Sequence, residues 1–335
     1  HLSIRRQRQM CIRDRISIIM PIYNADKFLA KSLDSILNQS FQEYELILLN
    51  DGSKDNSSAI AKEYAQRDKR ITFIDKENEG VSKTRNRGID ICQGKYVMFV
   101  DSDDIIYEIS LERVTEALLD FNPDFLKYEF QTIDELGDAL YPNYNAKRRI
   151  KYSNKIMSAC DFMNRVMCDE YYLCMHVFRR SLMNEYNIRF LEGCTCNEDT
   201  LLIAQYLNHS SSHIYIPDVV YGYRKYVGAV TSRVTERNVN DQKRVFNALI
   251  DIAKSSHGAF CIQIRRLAEN IASNIYINFQ QLGLDKKGLT SVVENCTKRP
   301  ISLRWKIVKV AGISGYKTWR LITIIERFMR KIRCF

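Results

Sequence analysis

The sequence predicts an α/β fold, a mainly parallel sheet with helices on both faces, followed by a C-terminal helical extension. Three observations carry that expectation. Short, continuously apolar runs recur through the first hundred residues and alternate with amphipathic stretches of helical period, the pattern of strands buried on both faces. Segments with chemical character follow three of these runs, at 21–24, 51–53 and 101–104. Ligands collect in that region of parallel sheets, beyond the carboxyl ends of the strands. Finally, 13 Gly and 5 Pro in 335 residues are too few for collagen-like or long disordered segments.

Taken in order, 16–20 reads as a strand by composition, and 26–38 as a helix with Leu29, Leu33, Ile36 and Leu37 on one face. Residues 44–49 form a second apolar strand that runs into the turn Asn50-Asp51-Gly52-Ser53. A helix near 56–67, a strand at 71–74, a helix near 81–91 and a strand at 95–100 complete the alternation. After about residue 120 the periodicity changes. A helix at 158–168, another near 198–208, a strand at 213–216 and two or more helices within 236–285 are expected there.

Charge is unevenly placed. The formal net charge is +10, yet residues 1–15 carry five Arg against one Asp and residues 303–335 carry nine Lys/Arg against one Glu. The segment 16–302 keeps 36 basic and 38 acidic residues. A nearly neutral body lacks the basic face that nucleic-acid binding requires, so no nucleic-acid partner is expected. Residues 1–15 begin with His, are rich in Arg, and read as a non-native or disordered basic leader. The ten cysteines show no C-x-x-C pair and no zinc-finger spacing, which fits free thiols in a reducing cytoplasm. No apolar run reaches the roughly 18–20 residues that span a bilayer.

Asp101-Ser102-Asp103-Asp104 follows the apolar run YVMFV. Three carboxylates in four residues repel one another, and a hard divalent cation, Mn²⁺ or Mg²⁺, would neutralise them while binding phosphate oxygens. Acidic turns without a metal are also common. Neither a Walker A loop nor G-x-G-x-x-G is present, so P-loop and dinucleotide sites are excluded.

The runs ISIIMPIYN, LILLNDGSKDNS, ENEGVSKTRNRGI and GKYVMFVDSDD occur in order across 16–104. Together they resemble the family 2 glycosyltransferases of the GT-A fold, a Rossmann-like design, of the bacterial polysaccharide-biosynthesis type. Asn197-Glu198-Asp199-Thr200-Leu201-Leu202 matches the acidic segment of that family, and YGYRKYVGAVTSR at 221–233 resembles the stretch that often follows. Thr84 stands where Ala is common and Asn197 where Gly is common.

The resemblance implies roles position by position. Pro21 and Tyr23 would line the nucleobase pocket, Asp51 would accept from a uracil N–H, and Arg85 would help hold the nucleotide. Asp101 would bind the ribose hydroxyls and Asp103 would ligate the metal. Asp199 would be the general base, with Glu198 beside it, while Arg224 and Ser232 would meet phosphates or acceptor. Taken singly, Asp51 also reads as a turn residue, Glu198 and Asp199 as an acidic first helical turn, and Arg85 as part of a solvated helix face.

The implied activity is inverting transfer of a sugar from a nucleotide donor, a UDP-sugar, to a hydroxyl of a glycan or lipid-linked glycan. An inactive relative serving as an interaction subunit would lack Asp103 or Asp199, and both are present. A nucleotidyltransferase would want a glycine-rich loop after the first strand, where PIYNADKF has none. The expected organisation is a leader at 1–15, a transferase domain at 16–235 and a helical extension at 236–335. Within the domain, 16–104 binds the nucleotide and 105–235 the acceptor. Residues 316–335 alternate Leu321, Ile322, Ile324, Ile325, Phe328, Met329 and Ile332 with basic side chains, and Trp305 and Trp319 flank them as interfacial anchors. That pattern suits a helix lying on an anionic membrane surface, placing the enzyme peripherally on the inner face of the cell membrane. An ordinary helix packed on the protein has the same pattern.

Overall fold

The structure, a computed structural model, describes residues 16–141, 143–226, 234–284, 289–298, 300–302 and 305. The leader 1–15 and the tail segment 316–335 with Trp319 lie outside the described residues. The chain divides into two compact units, His1–Ala229 and Val230–Phe335.

The first unit begins with the alternating series. Strand β1 (Ile16–Ile22) leads to α1 (Asp26–Leu37), β2 (Tyr44–Asp51), α2 (Ser57–Arg67), β3 (Ile71–Lys76), α3 (Val81–Ile91) and β4 (Tyr96–Phe99). These strands pair in parallel, β3 on β2, β2 on β1 and β1 on β4. Because side chains alternate along a strand, Ile16, Ile18 and Met20 face one layer while Ile19 faces the other. The first layer is built from Leu29, Leu33 and Ile36 of α1, Ala61 of α2 and, from α4 (Ser110–Phe121), Leu111, Val114 and Leu118. On the second face α3 comes so close that a Cβ added at Gly88 would lie 2.5 Å from Ile19 Cγ2 and 3.0 Å from Leu49 Cδ1. Both faces are therefore covered, and β1, the middle of β2 and β4 are apolar for that reason.

The sheet then changes character. Its full order is β3-β2-β1-β4-β8-β6-β9-β5, with β7 on the flank of β6. The added strands are β5 (Ile105–Ile106), β6 (Phe125–Ile133), β7 (Ala139–Tyr141), β8 (His176–Arg179) and β9 (His213–Arg224). Strand β8 runs antiparallel to both β4 and β6, β9 runs parallel to β6, and β5 antiparallel to β9. Parallel pairings still hold most of the paired residues, as the fold class expects. The helices of this half are α5 (Tyr144–Arg149), α6 (Ala159–Phe162), α7 (Arg180–Glu185) and α8 (Glu198–His209).

Two expectations change here. The helix expected over 158–168 is one α-turn, α6, followed by a wide π-turn at Met163–Met167 that stops at Cys168 with φ 50°. The strand expected at 213–216 extends to Arg224. Strand β6 alternates Phe125, Lys127 and Glu129 on one face with Leu126 and Tyr128 on the other. The charged pair is buried, which is tolerated because Glu129 accepts from Arg149 Nη1 at 2.7 Å and from Tyr215 Oη at 2.7 Å. Buried charges persist when paired and hydrogen-bonded.

The second unit contains α9 (Glu236–Ser255), α10 (Gly258–Leu282) and α11 (Thr290–Lys298). Thr235 and Asn238 close a capping box at the start of α9, satisfying amide groups that the first helical turn leaves open. Trp305 is fully buried and donates its indole N–H to Glu269 O at 3.1 Å. It belongs to the core of this unit, so the expected role of Trp305 as an interfacial anchor is withdrawn. No helix among the described residues is long and apolar enough to cross a membrane.

Candidate active site

The site forms where β1, β2 and β4 end. Pro21 pairs with Leu49 of β2 beyond the last residue pair that joins β1 to β4, Ile19 with Phe99. A proline is accommodated at such a point because no ladder hydrogen bond is lost there. Tyr23 follows with its side chain 53% exposed. The loop after β1 is pinned to the turn after β2, since Asn24 N donates to Ser53 Oγ at 3.0 Å and Lys54 N donates to Asn24 Oδ1 at 2.8 Å. Gly52 is required in that turn. Its φ is +70°, and an added Cβ would lie 2.7 Å from Asn78 N, a conformation and a space that only glycine meets without strain.

Asp51 is buried at the base of this crevice. Its Oδ1 accepts from Lys76 Nζ and from Glu79 N at 2.8 Å, and its Oδ2 accepts from Gly80 N at 2.9 Å. These bonds hold its pKa below the ordinary carboxylate value against the opposing effect of burial, Lys76 contributing most. A carboxylate offers about four acceptor positions, so Oδ2 retains room for one further donor. Asp51 thus also anchors the amino end of α3.

The centre of the site is Arg85 on α3. Its side chain is 7% exposed, and its guanidinium meets three carboxylates: Asp101 at 2.9 Å, Glu198 at 3.1 Å and Asp199 at 3.3 Å. The ring of Phe190 lies 5.4 Å from the guanidinium carbon. One cation facing three acids leaves excess negative charge in a poorly solvated place. Burial first, and repulsion from Glu198 second, push Asp199 up to about 7. Burial likewise raises Glu198, although Arg85 opposes the rise. Asp199 Oδ2 also accepts from Leu173 N at 3.2 Å, which fixes the direction of its carboxylate.

Asn197 precedes α8 with φ 62°. That left-handed conformation favours Gly and is tolerated by Asn, so the departure from the family's glycine keeps the backbone geometry.

The acidic turn after β4 is held from β9. Tyr221 Oη donates to Asp104 Oδ2 at 2.7 Å and accepts from Asp101 N at 3.1 Å. Arg224 N donates to Asp104 Oδ1 at 2.7 Å. Asp104 is therefore turned inward and buried, and burial with the neighbouring Asp103 raises its pKa well above the ordinary value. Asp101 and Asp103 remain partly exposed. Asp103 accepts from Tyr226 Oη at 3.1 Å, and burial followed by the Asp101 charge raises its pKa.

Among the described residues no three His, Cys, Asp or Glu side chains converge as a closed ligand set. Mg²⁺-type ions need fewer, because they keep waters and take one or two carboxylates with substrate phosphates. Asp103, a partly exposed oxygen donor on the turn, fits that requirement.

The structure brings Arg85, Asp101, Glu198 and Asp199 into direct contact, with Asp103 on the same turn. Pro21, Tyr23 and Asp51 lie on the β1–β2 flank. Arg224 differs from its expected place. Its Nε donates to Asp103 O at 2.7 Å and its Nη1 to Asp134 O at 2.9 Å and Glu135 O at 2.8 Å, so it buttresses the turn. Ser232 lies outside the described residues. Tyr221, Tyr226 and the inward Asp104 were not singled out by sequence. The one signal for them was the Y-x-Y-x-x-Y spacing at 221–226, which puts tyrosines at a strand end beside an acidic turn.

Residues 17–186 match the family model described as glycosyl transferase family 2. The glycosyltransferase GlyA of Streptococcus pneumoniae is 37% identical over 141 residues, covering 39% of this chain and 20% of that protein. The minor teichoic acid biosynthesis protein GgaB of Bacillus subtilis is 31% identical over 216 residues, covering 62% of this chain and 23% of that protein. The chain thus spans between a fifth and a quarter of the length of these two relatives. Among solved structures, S. aureus TarS 1–349 in complex with UDP-GlcNAc superimposes with a TM-score of 0.67 at 20% identity, covering 85% of this chain and 80% of that one. That likeness concerns the fold, which is GT-A. The family match covers half of the chain, and the chain belongs to glycosyl transferase family 2.

Proposed function

We propose that this chain moves a sugar, with inversion, from a UDP-sugar to a hydroxyl of a glycan or lipid-linked glycan during synthesis of a bacterial cell-surface polymer. The observation that carries the reading is the set of carboxylates, Asp101, Glu198 and Asp199, gathered by Arg85. The TarS complex with UDP-GlcNAc and the teichoic acid relative support the donor and the polymer class. Residues 16–235 would form the transferase and 236–335 the extension, working at the cytoplasmic face of the membrane.

Each residue then has a task. Pro21 and exposed Tyr23 wall the base, while Asp51 accepts from a uracil N–H at Oδ2 and keeps the 76–80 loop in place. Asp101 takes the ribose hydroxyls. Asp103 would hold Mn²⁺ or Mg²⁺, which when bound offsets the charge growing on the leaving diphosphate. Arg85 keeps Asp101, Glu198 and Asp199 as one group, so its part is positioning more than direct nucleotide contact. Asp199 accepts the proton of the acceptor hydroxyl as that oxygen bonds to the anomeric carbon. The bond from that carbon to the phosphate oxygen breaks, and its electron pair leaves with UDP. A base with pKa near the working pH is suited to this transfer. Attack from the face opposite the nucleotide inverts the centre, and no covalent glycosyl-enzyme forms.

A panel of UDP-glucose, UDP-galactose, UDP-GlcNAc and GDP-mannose, each with Mn²⁺ or Mg²⁺, tests the reading. Nucleoside diphosphate release above the enzyme-free blank is expected from a UDP-sugar. Release from none of the four would overturn it.

A further inference from the structure

Phe130, Tyr172 and Tyr223 form an aromatic group beside the carboxylates. The rings of Tyr172 and Tyr223 are nearly parallel at 24° with centroids 6.4 Å apart, and Phe130 meets them at 6.1 Å and 6.4 Å with steep interplanar angles. Phe130 and Tyr223 are partly buried against the core, which fixes the base of the group. Tyr172 stands out, 51% exposed. Tyr172 therefore offers a ring to solvent while two other rings hold it in place.

The chain path ties this group to the reacting centre from two directions. The peptide joining Tyr172 to Leu173 is the one whose N–H donates to Asp199 at 3.2 Å. Tyr223 lies two residues beyond Tyr221 on β9, on the same face of the strand, and Tyr221 holds both Asp101 and Asp104. The donor-side residues Tyr23 and Asp51 follow β1 and β2, whereas Phe130 and Tyr223 lie on β6 and β9, across β4 and β8 in the sheet order.

We infer that Tyr172, Tyr223 and Phe130 are a platform for the acceptor, taking the C–H face of a neutral pyranose ring and delivering its hydroxyl to Asp199. The proposal rests on the transferase reading and names the chemical class of its second substrate. Aromatic rings carry negative charge on their faces and positive charge at their edges. A pyranose presents axial C–H groups, weakly positive and apolar, on one face, while its hydroxyls point outward around the rim. Stacking therefore holds the ring without consuming the hydroxyl that must react. None of the three side chains is charged, so the platform selects for ring shape, and an uncharged hexose or N-acetylhexosamine fits it better than a free phosphate.

Saturation-transfer NMR on the full chain tests this, with UDP at saturation and the methyl β-glycosides of glucose, galactose and N-acetylglucosamine as probes. Irradiating the protein's aromatic protons is expected to transfer saturation to ring C–H protons of at least one glycoside. Tyr172→Ala is expected to cut that signal at least threefold, and Tyr172→Phe to retain it, because the ring remains. Tyr223→Ala serves as a second variant, and the wild-type aromatic irradiation needs no variant at all. No transfer to any of the three glycosides, or an undiminished signal in Tyr172→Ala, overturns the platform. Loss of the uracil signals of UDP in place of the glycoside signals would assign the group to the donor base and also overturn it. UDP release from UDP-sugars by wild type is recorded alongside. If release is absent while glycoside transfer is present, the transferase reading fails and the sugar platform stands.

Discussion

At the scale of single residues, Arg85 and Asp199 define each other. Asp199 is raised to about 7 by burial and by Glu198, so it is protonated in acid and able to accept a proton only above that range. Turnover is therefore expected to rise with pH through about 7 and to level off above it. Asp199→Asn is expected to lower kcat by a factor on the order of 10² to 10⁴, leave donor affinity near wild type and remove the acid limb. A wild-type profile flat from pH 5.5 to 8.5 would count against Asp199 as the base. Arg85→Met removes the one cation from three buried or half-buried acids, and breaking a buried ion pair on one side destabilises by about 3–5 kcal/mol. Urea unfolding at pH 7.5 checks this, and a loss below about 1 kcal/mol would mean the group is better solvated than its burial indicates. Legibility at this scale was uneven. Asp51 and the Asp101–Asp104 turn could be found because they follow apolar strands, whereas Glu198 and Asp199 open a helix and were found through the family resemblance. Arg85 was found as a motif residue, but its pairing with acids more than a hundred positions away was beyond any local pattern.

At the scale of elements, the first half of the sheet could be read almost boundary by boundary. Strands β1, β2 and β4 are buried on both faces and α1 carries a single apolar stripe, so local pattern and tertiary demand agree. The second half could not. Strand β6 carries Lys127 and Glu129 at buried positions, matched by Arg149 twenty residues beyond Glu129 and by Glu170 forty-three beyond Lys127. Its alternation consequently looks like that of a surface strand or loop. Strands β5 and β8 are two and four residues long, too short for periodicity to register, and α4 was missed although its apolar stripe was present. Gly88 tests how the readable half is packed. Gly88→Ala forces α3 off β1 and β2, since the new methyl would lie 2.5 Å from Ile19 Cγ2. Overpacking of this kind costs about 1–3 kcal/mol. Because α3 carries Arg85, UDP affinity should fall together with the denaturation midpoint. A midpoint equal to wild type would show that the interface relaxes freely.

At the scale of the whole molecule, the question is how the transferase reaches its acceptor. The basic excess of residues 303–335 motivates a membrane-surface role, and the burial of Trp305 sets where the tail can be cut without opening the second unit. Deleting 316–335 keeps Trp305 against Glu269. The full chain is expected to sediment with vesicles containing anionic phosphatidylglycerol at low salt and to be released by high salt, as attraction of basic segments to anionic lipid requires. The deletion is expected to remain in the supernatant. Equal binding of both would place any membrane contact elsewhere. The acidic turn and its cation are central to the proposed transfer, and UDP release from the preferred UDP-sugar, in Mn²⁺ and in excess chelator, by wild type and Asp103→Ala, measures their part directly. Release by wild type in Mn²⁺ alone, with chelator and Asp103→Ala each lowering it at least a hundredfold, is the predicted result. Wild-type rates in the chelated enzyme or in Asp103→Ala would contradict it.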